Sequence, residues 1–149
     1  MTPWQEKIAI VTGASSGIGA AIARRLARAG MRVLLVARRQ DRLADLADEI
    51  RRAGGQVDTL VADLAQEPER QRLLQYVSER YGAVDVLVNN AGLGWYGYGS
   101  DMSWKTAWEM LQVNVEAVVQ LSLAFLPAMK KRNAGHIINI GSISGSIPS

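Results

Sequence analysis

The segment Thr12-Gly-Ala-Ser-Ser-Gly-Ile-Gly19 sets Gly13, Gly17 and Gly19 beside Ser15 and Ser16, directly after the apolar run Lys7-Ile-Ala-Ile-Val11. These residue types, at this spacing, can bind an anion with backbone groups. Gly13 permits a sharp turn off a strand, Gly17 leaves room for a pyrophosphate to reach the main chain, and Gly19 lets the next helix approach the sheet. Free N–H groups and the positive end of the helix dipole would face the phosphates, with the Ser15 and Ser16 hydroxyls as extra donors. A Gly-rich strand-to-helix turn that holds no ligand is the plainer alternative. The spacing is neither the GxGxxG of the commonest dinucleotide fingerprint nor the Gly-Lys-Ser/Thr of a P-loop.

Other chemistries are closed to this sequence. It has no cysteine, which excludes disulfides, thiolate zinc sites, iron–sulfur clusters and a thiol nucleophile. One histidine, His136, cannot build a multi-histidine metal site, and no metal is expected. Lys and Arg number 17 against 14 Asp and Glu, a net charge of +3. Basic pairs such as Arg24-Arg25, Arg51-Arg52 and Lys130-Lys131-Arg132 are scattered among acids, so they read as solvated faces and not as a nucleic-acid footprint. The most apolar stretch, Ala117 to Met129, is broken by Gln120, Ser122 and Pro127 and falls short of the roughly 20 residues of a membrane span. With no leader-like N-terminus, a soluble, cytoplasmic protein is expected.

The elements that must position the glycine turn follow from periodicity. Strands are predicted at Lys7–Val11, Arg32–Val36, Gln56–Val61, Val84–Val88 and Gly135–Ile140. Between them lie helical patterns. Gly17 to Ala29 carries Ile18, Ala21, Ile22, Leu26 and Ala29 on one face and ends at Gly30. Asp41 to Ala53 carries Leu43, Leu46, Ala47 and Ile50, with Asp41 expected as its N-cap. A third helix starts near Pro68, presents Leu73, Leu74 and Val77, and stops at Gly82. A long helical region capped by Ser103 aligns Trp104, Trp108, Leu111, Val115, Val118, Ser122, Phe125 and Met129, a stripe expected in the core or at a subunit interface, with a kink at Pro127. Strands and helices in this rhythm imply an α/β fold, a parallel sheet with helices on both faces and right-handed crossovers. The 149 residues read as one domain without linker or repeat.

The TGxxxGxG spacing resembles that of the short-chain dehydrogenase/reductase family, and three more segments fit in order. Asn89-Asn-Ala-Gly92 follows the fourth strand, Asn114 lies in the middle helix, and Ile138-Asn-Ile-Gly-Ser-Ile-Ser-Gly145 follows the fifth strand. The resemblance implies a Rossmann-type doubly wound sheet of five strands in the order 3-2-1-4-5, with later strands missing. It places the family's catalytic serine at Ser142 and its helix asparagine at Asn114. It also implies cofactor contacts at Gly13, Ser15, Ser16, Gly17, Ile18, Gly19, Asp63, Leu64, Asn90, Ala91 and Gly92, with Asn89 bracing the strands. Each has a plainer alternative: Asp63 as a turn residue capping a helix, Ser142 as a loop hydroxyl like Ser144 and Ser146, Asn114 as a polar bridge within a helix.

Cofactor choice turns on the end of the second strand. An acidic residue there bonds the ribose hydroxyls of NAD; the resemblance puts Ala37 at that position, followed by Arg38 and Arg39. A guanidinium can fork onto a 2′-phosphate, so NADP(H) is favoured over NAD(H), although both arginines could be solvated loop residues. The loop Leu93-Gly-Trp-Tyr-Gly-Tyr-Gly99 could form an aromatic wall for an apolar substrate, or be a mobile surface loop or interface patch.

In the family a hydride passes between nicotinamide and a carbonyl or alcohol carbon, with a Tyr-x-x-x-Lys pair as general acid or base. No such pair occurs here: Tyr76, Tyr81, Tyr96 and Tyr98 are followed four residues later by Arg80, Asp85, Ser100 and Met102. The sequence therefore reads as the cofactor-binding part of a longer enzyme, inactive by itself. Complete, that enzyme is expected to act on a small or medium carbonyl or secondary alcohol as a dimer or tetramer. A non-catalytic nucleotide-binding module is the competing reading.

Overall fold

The computed structural model describes residues 2–142. Five parallel strands, β1 (Ile8–Thr12), β2 (Arg32–Ala37), β3 (Gln56–Val61), β4 (Val86–Asn89) and β5 (His136–Asn139), form one sheet in the order β3-β2-β1-β4-β5. Helices α1 (Gly17–Arg28), α2 (Gln40–Arg52) and α3 (Glu67–Arg80) make the first crossovers. The last is one long helical segment: α4 (Trp104–Leu111), a π-turn (Gln112–Glu116) and α5 (Ala117–Arg132).

Alternation along the strands explains the two layers. Ala9, Val11, Val33, Leu35, Val86 and Val88 face α1 and α2. Ile10, Leu34, Val36, Leu60 and Leu87 face α3 and α5. Strand order 3-2-1-4-5 is the expected one, and α2 buries the expected Leu43, Leu46, Ala47 and Ile50. Fully buried leucines such as Leu34, Leu35, Leu87 and Leu121 contribute about 1.5–3 kcal/mol each through removal from water.

Four local expectations are corrected. Helix α1 buries Gly19, Ala20, Ala23 and Ala27, while Ile18 is exposed and Ile22 and Leu26 are only partly covered. A face of small residues brings the helix axis close to the sheet, and size alone does not reveal it. Asp41 is not the N-cap of α2; Arg39 holds that position, and Asp41 sits in the first turn, where its charge complements the helix dipole. Strand β4 starts at Val86; Asp85 just before it still bonds Ile8 and His136 through its backbone, and its side chain accepts from the Ile8 N–H (2.8 Å) and pairs with Arg132 (3.1 Å).

The largest correction concerns the long helical segment. Ser103 caps it as expected, its hydroxyl accepting from the Thr106 N–H (3.1 Å). Met129 of the expected stripe is buried and Phe125 packs against the core, but the other inward residues are Gln112, Val113, Ala117 and Leu121, while Trp104, Leu111 and Val115 of the stripe are 49–73% exposed. The π-turn is the reason: it slips the helical period, so a face continuous in a 3.6-residue count is not continuous in space. The segment from Trp104 to Arg132 is long and apolar enough, by length and composition, to cross a membrane, contrary to the sequence reading. Only a narrow face of it is covered: Ala117, Leu121 and Met129 of α5 pack toward the sheet and α3, and α4 buries no residue.

Candidate functional site

The carboxyl ends of β1, β2, β3 and β4 open onto a cleft of about 420 Å³. The chain runs from β3 back past β1 to β4, so this cleft lies at the point where strand order reverses, the place where open α/β sheets bind ligands.

The glycine turn is its floor. Gly13 adopts φ +62°, and a Cβ there would stand 2.8 Å from the Ala91 Cα. A Cβ on Gly19 would collide with the Gly13 carbonyl oxygen and the Asn90 side-chain amide. Gly17 differs: its φ of +55° favours glycine, yet nothing stands within 4 Å of its missing Cβ. Gly13 and Gly19 answer to close packing, whereas Gly17 faces open space in the cleft. Ser16 is the N-cap of α1 and makes no side-chain capping bond, so neither its hydroxyl nor the dipole end of α1 is answered by that device. Ser15, Ser16, Gly17 and the exposed Ile18 line the cleft with Gly13; Gly19 supports it from behind.

Thr12 stitches the floor to the wall. Its hydroxyl donates to the Val88 carbonyl (3.3 Å) and accepts from the Asn90 and Ala91 N–H groups (both 3.0 Å). The Asn90 side chain donates to the Thr12 and Gly13 carbonyls (3.2 and 3.1 Å). Asn89 braces the strands as expected, donating to Asn139 Oδ1 (2.9 Å) and Ser122 Oγ (3.2 Å). Asn90, Ala91 and Gly92 line the cleft.

On the β2 side, Arg38, Arg39 and Arg42 line the opening, and among the described residues none of the three has an ion-pair partner. Ala37, buried at the strand end, is not acidic. Asp63 and Leu64 form the β3 side. One Asp63 oxygen, Oδ1, accepts from the Ala65 N–H (3.0 Å), a turn contact that does not cap α3, whose N-cap is Gln66.

Asn114 stands in the π-turn, outside the lining residues. Its Oδ1 accepts from the Leu93 N–H (2.9 Å) and its Nδ2 donates to the Leu93 carbonyl (2.8 Å), which holds the cleft wall from behind. Ser142, the last described residue, is exposed beyond the carboxyl end of β5 and does not line the cleft. Residues 143–145 of that motif, and Ser144 and Ser146, lie outside the described residues. Of the aromatic loop only Leu93 lines the cleft; Trp95 folds over Gly97, and Tyr96 and Tyr98 are 99% and 81% exposed. Among the described residues no cluster of metal-ligating side chains occurs.

Arg42 and Arg70 complete this architecture without a motif to announce them, while Thr12 and Leu93 belong to segments the sequence singles out but take roles it does not indicate. Arg42 is an ordinary helix arginine in the sequence, one turn after Arg38. Arg70 sits at a position that helical spacing from Leu73 and Val77 marks as inward, where an apolar residue is the usual occupant.

The cradle fits a dinucleotide on its own geometry: an open glycine at a helix start, hydroxyls beside it and, at the far end, three guanidinium groups without an ion-pair partner among the described residues. The family model of short chain dehydrogenases matches residues 7–149. An uncharacterized oxidoreductase of Staphylococcus saprophyticus is 42% identical over 147 residues, covering 97% of this chain and 62% of that protein. A metagenomic short-chain oxidoreductase solved in complex with NADP superposes with a TM-score of 0.93 at 41% identity, covering 98% of this chain and 66% of that one. Actinorhodin polyketide ketoreductase, solved with NADPH, gives 0.89 at 38% identity, covering 100% and 58%. The chain spans about half to two thirds of the length of the curated relatives it matches. With the ordered motifs, the strand order and the switch-point cleft in place, the chain belongs to the short-chain dehydrogenase family.

Proposed function

We propose that these residues form the dinucleotide-binding part of an NADP(H)-dependent oxidoreductase that interconverts a small carbonyl compound and its alcohol. The observation that carries the cofactor choice is the trio Arg38, Arg39 and Arg42, which lines the cleft after the non-acidic strand end Ala37 and has no ion-pair partner among the described residues. Similarity to proteins solved with NADP or NADPH supports it. When bound, the cofactor would supply the hydride donor or acceptor.

The chain's own residues do the rest. Gly13 and Gly17 shape the turn that receives the pyrophosphate, while Gly19 keeps α1 against it. The Ser15 and Ser16 hydroxyls and the dipole end of α1 answer its charge. Arg38 and Arg39, with Arg42 one turn on, take the 2′-phosphate through charge-assisted bonds. Asp63, whose Oδ1 is engaged by Ala65, accepts from the adenine amine through its other oxygen, with Leu64 beside it. Asn90, Ala91 and Gly92 run along the ribose, and Ile18 packs against the cofactor. Ser142 would donate a hydrogen bond to the substrate oxygen and stabilise developing negative charge. Asn114 acts on the same site by holding Leu93.

We read the outward apolar row of Leu111, Val115, Val119 and Leu123 as support for assembly with a second copy. Arg24, Arg51 and Arg132 are tied to Glu49, Asp48 and Asp85, which supports a solvated basic surface and not a nucleic-acid footprint. Family membership supports a cytoplasmic, membrane-free protein, and the contacts of α5 with α3 and β5 agree with it.

The test is a titration of the full-length protein with NADPH and NADH, repeated on Arg38→Ala. Wild type should prefer NADPH, and the variant should lose about 10- to 100-fold of NADPH affinity with little change for NADH, as loss of a charge-assisted pair implies. Equal losses for both cofactors would remove Arg38 from the 2′-phosphate. Binding without turnover on any carbonyl would leave only a nucleotide-binding module.

A further inference from the structure

Arg70 is the charged side chain that this fold buries, 1% exposed among the described residues. Its guanidinium donates from Nε to Gln120 Oε1 (2.6 Å) and from Nη1 to the Leu64 carbonyl (2.7 Å). From Nη2 it reaches Gln112 Oε1 (3.4 Å) and Glu116 Oε2 (3.0 Å). Packing does not require an arginine here, because a methionine would fill the space without the desolvation of a cation. What the arginine adds is direction, since its donors reach two separate walls of the cleft. Leu64 lines one wall. Gln112 and Glu116 bound the π-turn, which supplies Val113 to the other wall and Asn114 to the Leu93 backbone.

The π-turn and the arginine fit each other. Eight residues of unbroken α-helix would leave Gln112 and Gln120 about 80° apart around the axis. The wider π-turn takes back part of that rotation, so both amides face one guanidinium. We propose that Arg70 is a positioning residue: it holds the π-turn and, through Asn114, sets the Leu93 wall of the cleft. The consequence for cofactor binding rests on the dinucleotide reading above, whereas the positional claim does not.

The test uses site-resolved amide hydrogen exchange on the full-length protein, with NADPH titration alongside. The variants are Arg70→Met, Arg70→Lys, Asn114→Ala and the double variant Arg70→Met/Asn114→Ala. Arg70→Met should speed exchange at Leu93 and across residues 113–116 about tenfold beyond any change in global stability, the scale of one lost buried hydrogen bond. Arg70→Lys, which keeps a charged donor in place, should fall between wild type and Arg70→Met, and it serves alone if Arg70→Met does not fold. Asn114→Ala should expose Leu93 as well, and the double variant should exchange there no faster than Asn114→Ala. Unchanged protection of Leu93 in the Arg70 variants would overturn the proposal, as would effects that multiply in the double variant, the mark of independent contributions. Failure of wild type to bind NADPH would instead remove the dinucleotide reading and leave the exchange result to decide the role of Arg70.

Discussion

The glycines of the phosphate turn separate by what surrounds them, and so do their expected variants. At Gly19 the obstacle is the Gly13 carbonyl and the Asn90 amide, both fixed by the strands, so a methyl group must push α1 off the sheet. Gly19→Ala should therefore cost about 1–3 kcal/mol of stability, as overpacking does, and also weaken cofactor binding, because the turn moves with the helix. Gly54, at φ +86° with open space around it, offers the control. Gly54→Ala should lose only about 1 kcal/mol to backbone strain and leave binding intact. Denaturant midpoints and an NADPH titration on both variants would check this; equal binding by both would mean that Gly19 is not needed for close approach. The reason Gly13 and Gly19 are legible in the sequence is that no other residue fits such sites. Arg42 is not legible, because a helix arginine facing a cleft and one facing solvent read alike. Asp63 is half legible, since one carboxylate both caps a turn and remains available to a ligand.

Secondary-structure elements were legible where one period holds throughout and illegible where it slips. The apolar face of α2 follows directly from Leu43, Leu46, Ala47 and Ile50. The π-turn changes no composition and displaces the face by a fraction of a turn, so Leu111 and Val115 read as inward in the sequence and are exposed in space. Strand β3 shows a different effect, a polar edge made safe by pairing. Asp58 takes hydrogen bonds from the Tyr81 hydroxyl (2.5 Å), Arg80 (3.0 Å) and Arg32 (2.9 Å). Burial pushes the Asp58 carboxyl upward, but these three donors outweigh it and hold it below the ordinary carboxylate value. Burial, with the bond to Asp58, pushes the Tyr81 phenol well above its usual range. The signs follow by linkage. The contribution of Asp58 is present above about pH 4 and fades as pH falls through its depressed value; that of Tyr81 is complete below about pH 10 and fades as pH rises beyond it. Tyr81→Phe should thus cost about 1–2 kcal/mol at pH 7, the scale of a hydrogen bond to a charged group, and less at pH 11. Urea denaturation at the two pH values would decide; a penalty independent of pH would separate the phenol from Asp58.

At the scale of the whole molecule, alternation of strand and helix with right-handed crossovers leaves few topologies, which is why a doubly wound sheet could be read before any contact was known. What alternation cannot supply is the far side of β5. Among the described residues β5 pairs only with β4, and Ile138 is 43% exposed. A strand edge of this kind templates pairing with another chain. The 149 residues also contain no Tyr-x-x-x-Lys, so the proposed site has a hydrogen-bond donor for the substrate oxygen in Ser142 but no proton donor tuned for transfer. General acid–base catalysis contributes about 10²–10⁴-fold, and its loss should be visible as near-silence in the assay. A polypeptide of residues 1–149 should accordingly bind NADPH yet fail to oxidise it with any carbonyl, and it should self-associate through β5. Ile138→Lys, which places a charge on that edge, should reduce the association without touching the cofactor cleft. Light scattering of the two polypeptides, read beside NADPH fluorescence and carbonyl-dependent absorbance loss, separates the claims. Turnover by residues 1–149 would show that proton transfer does not need the tyrosine–lysine pair, and undiminished association of Ile138→Lys would move the sticky surface from β5 to the outward row of α4 and α5.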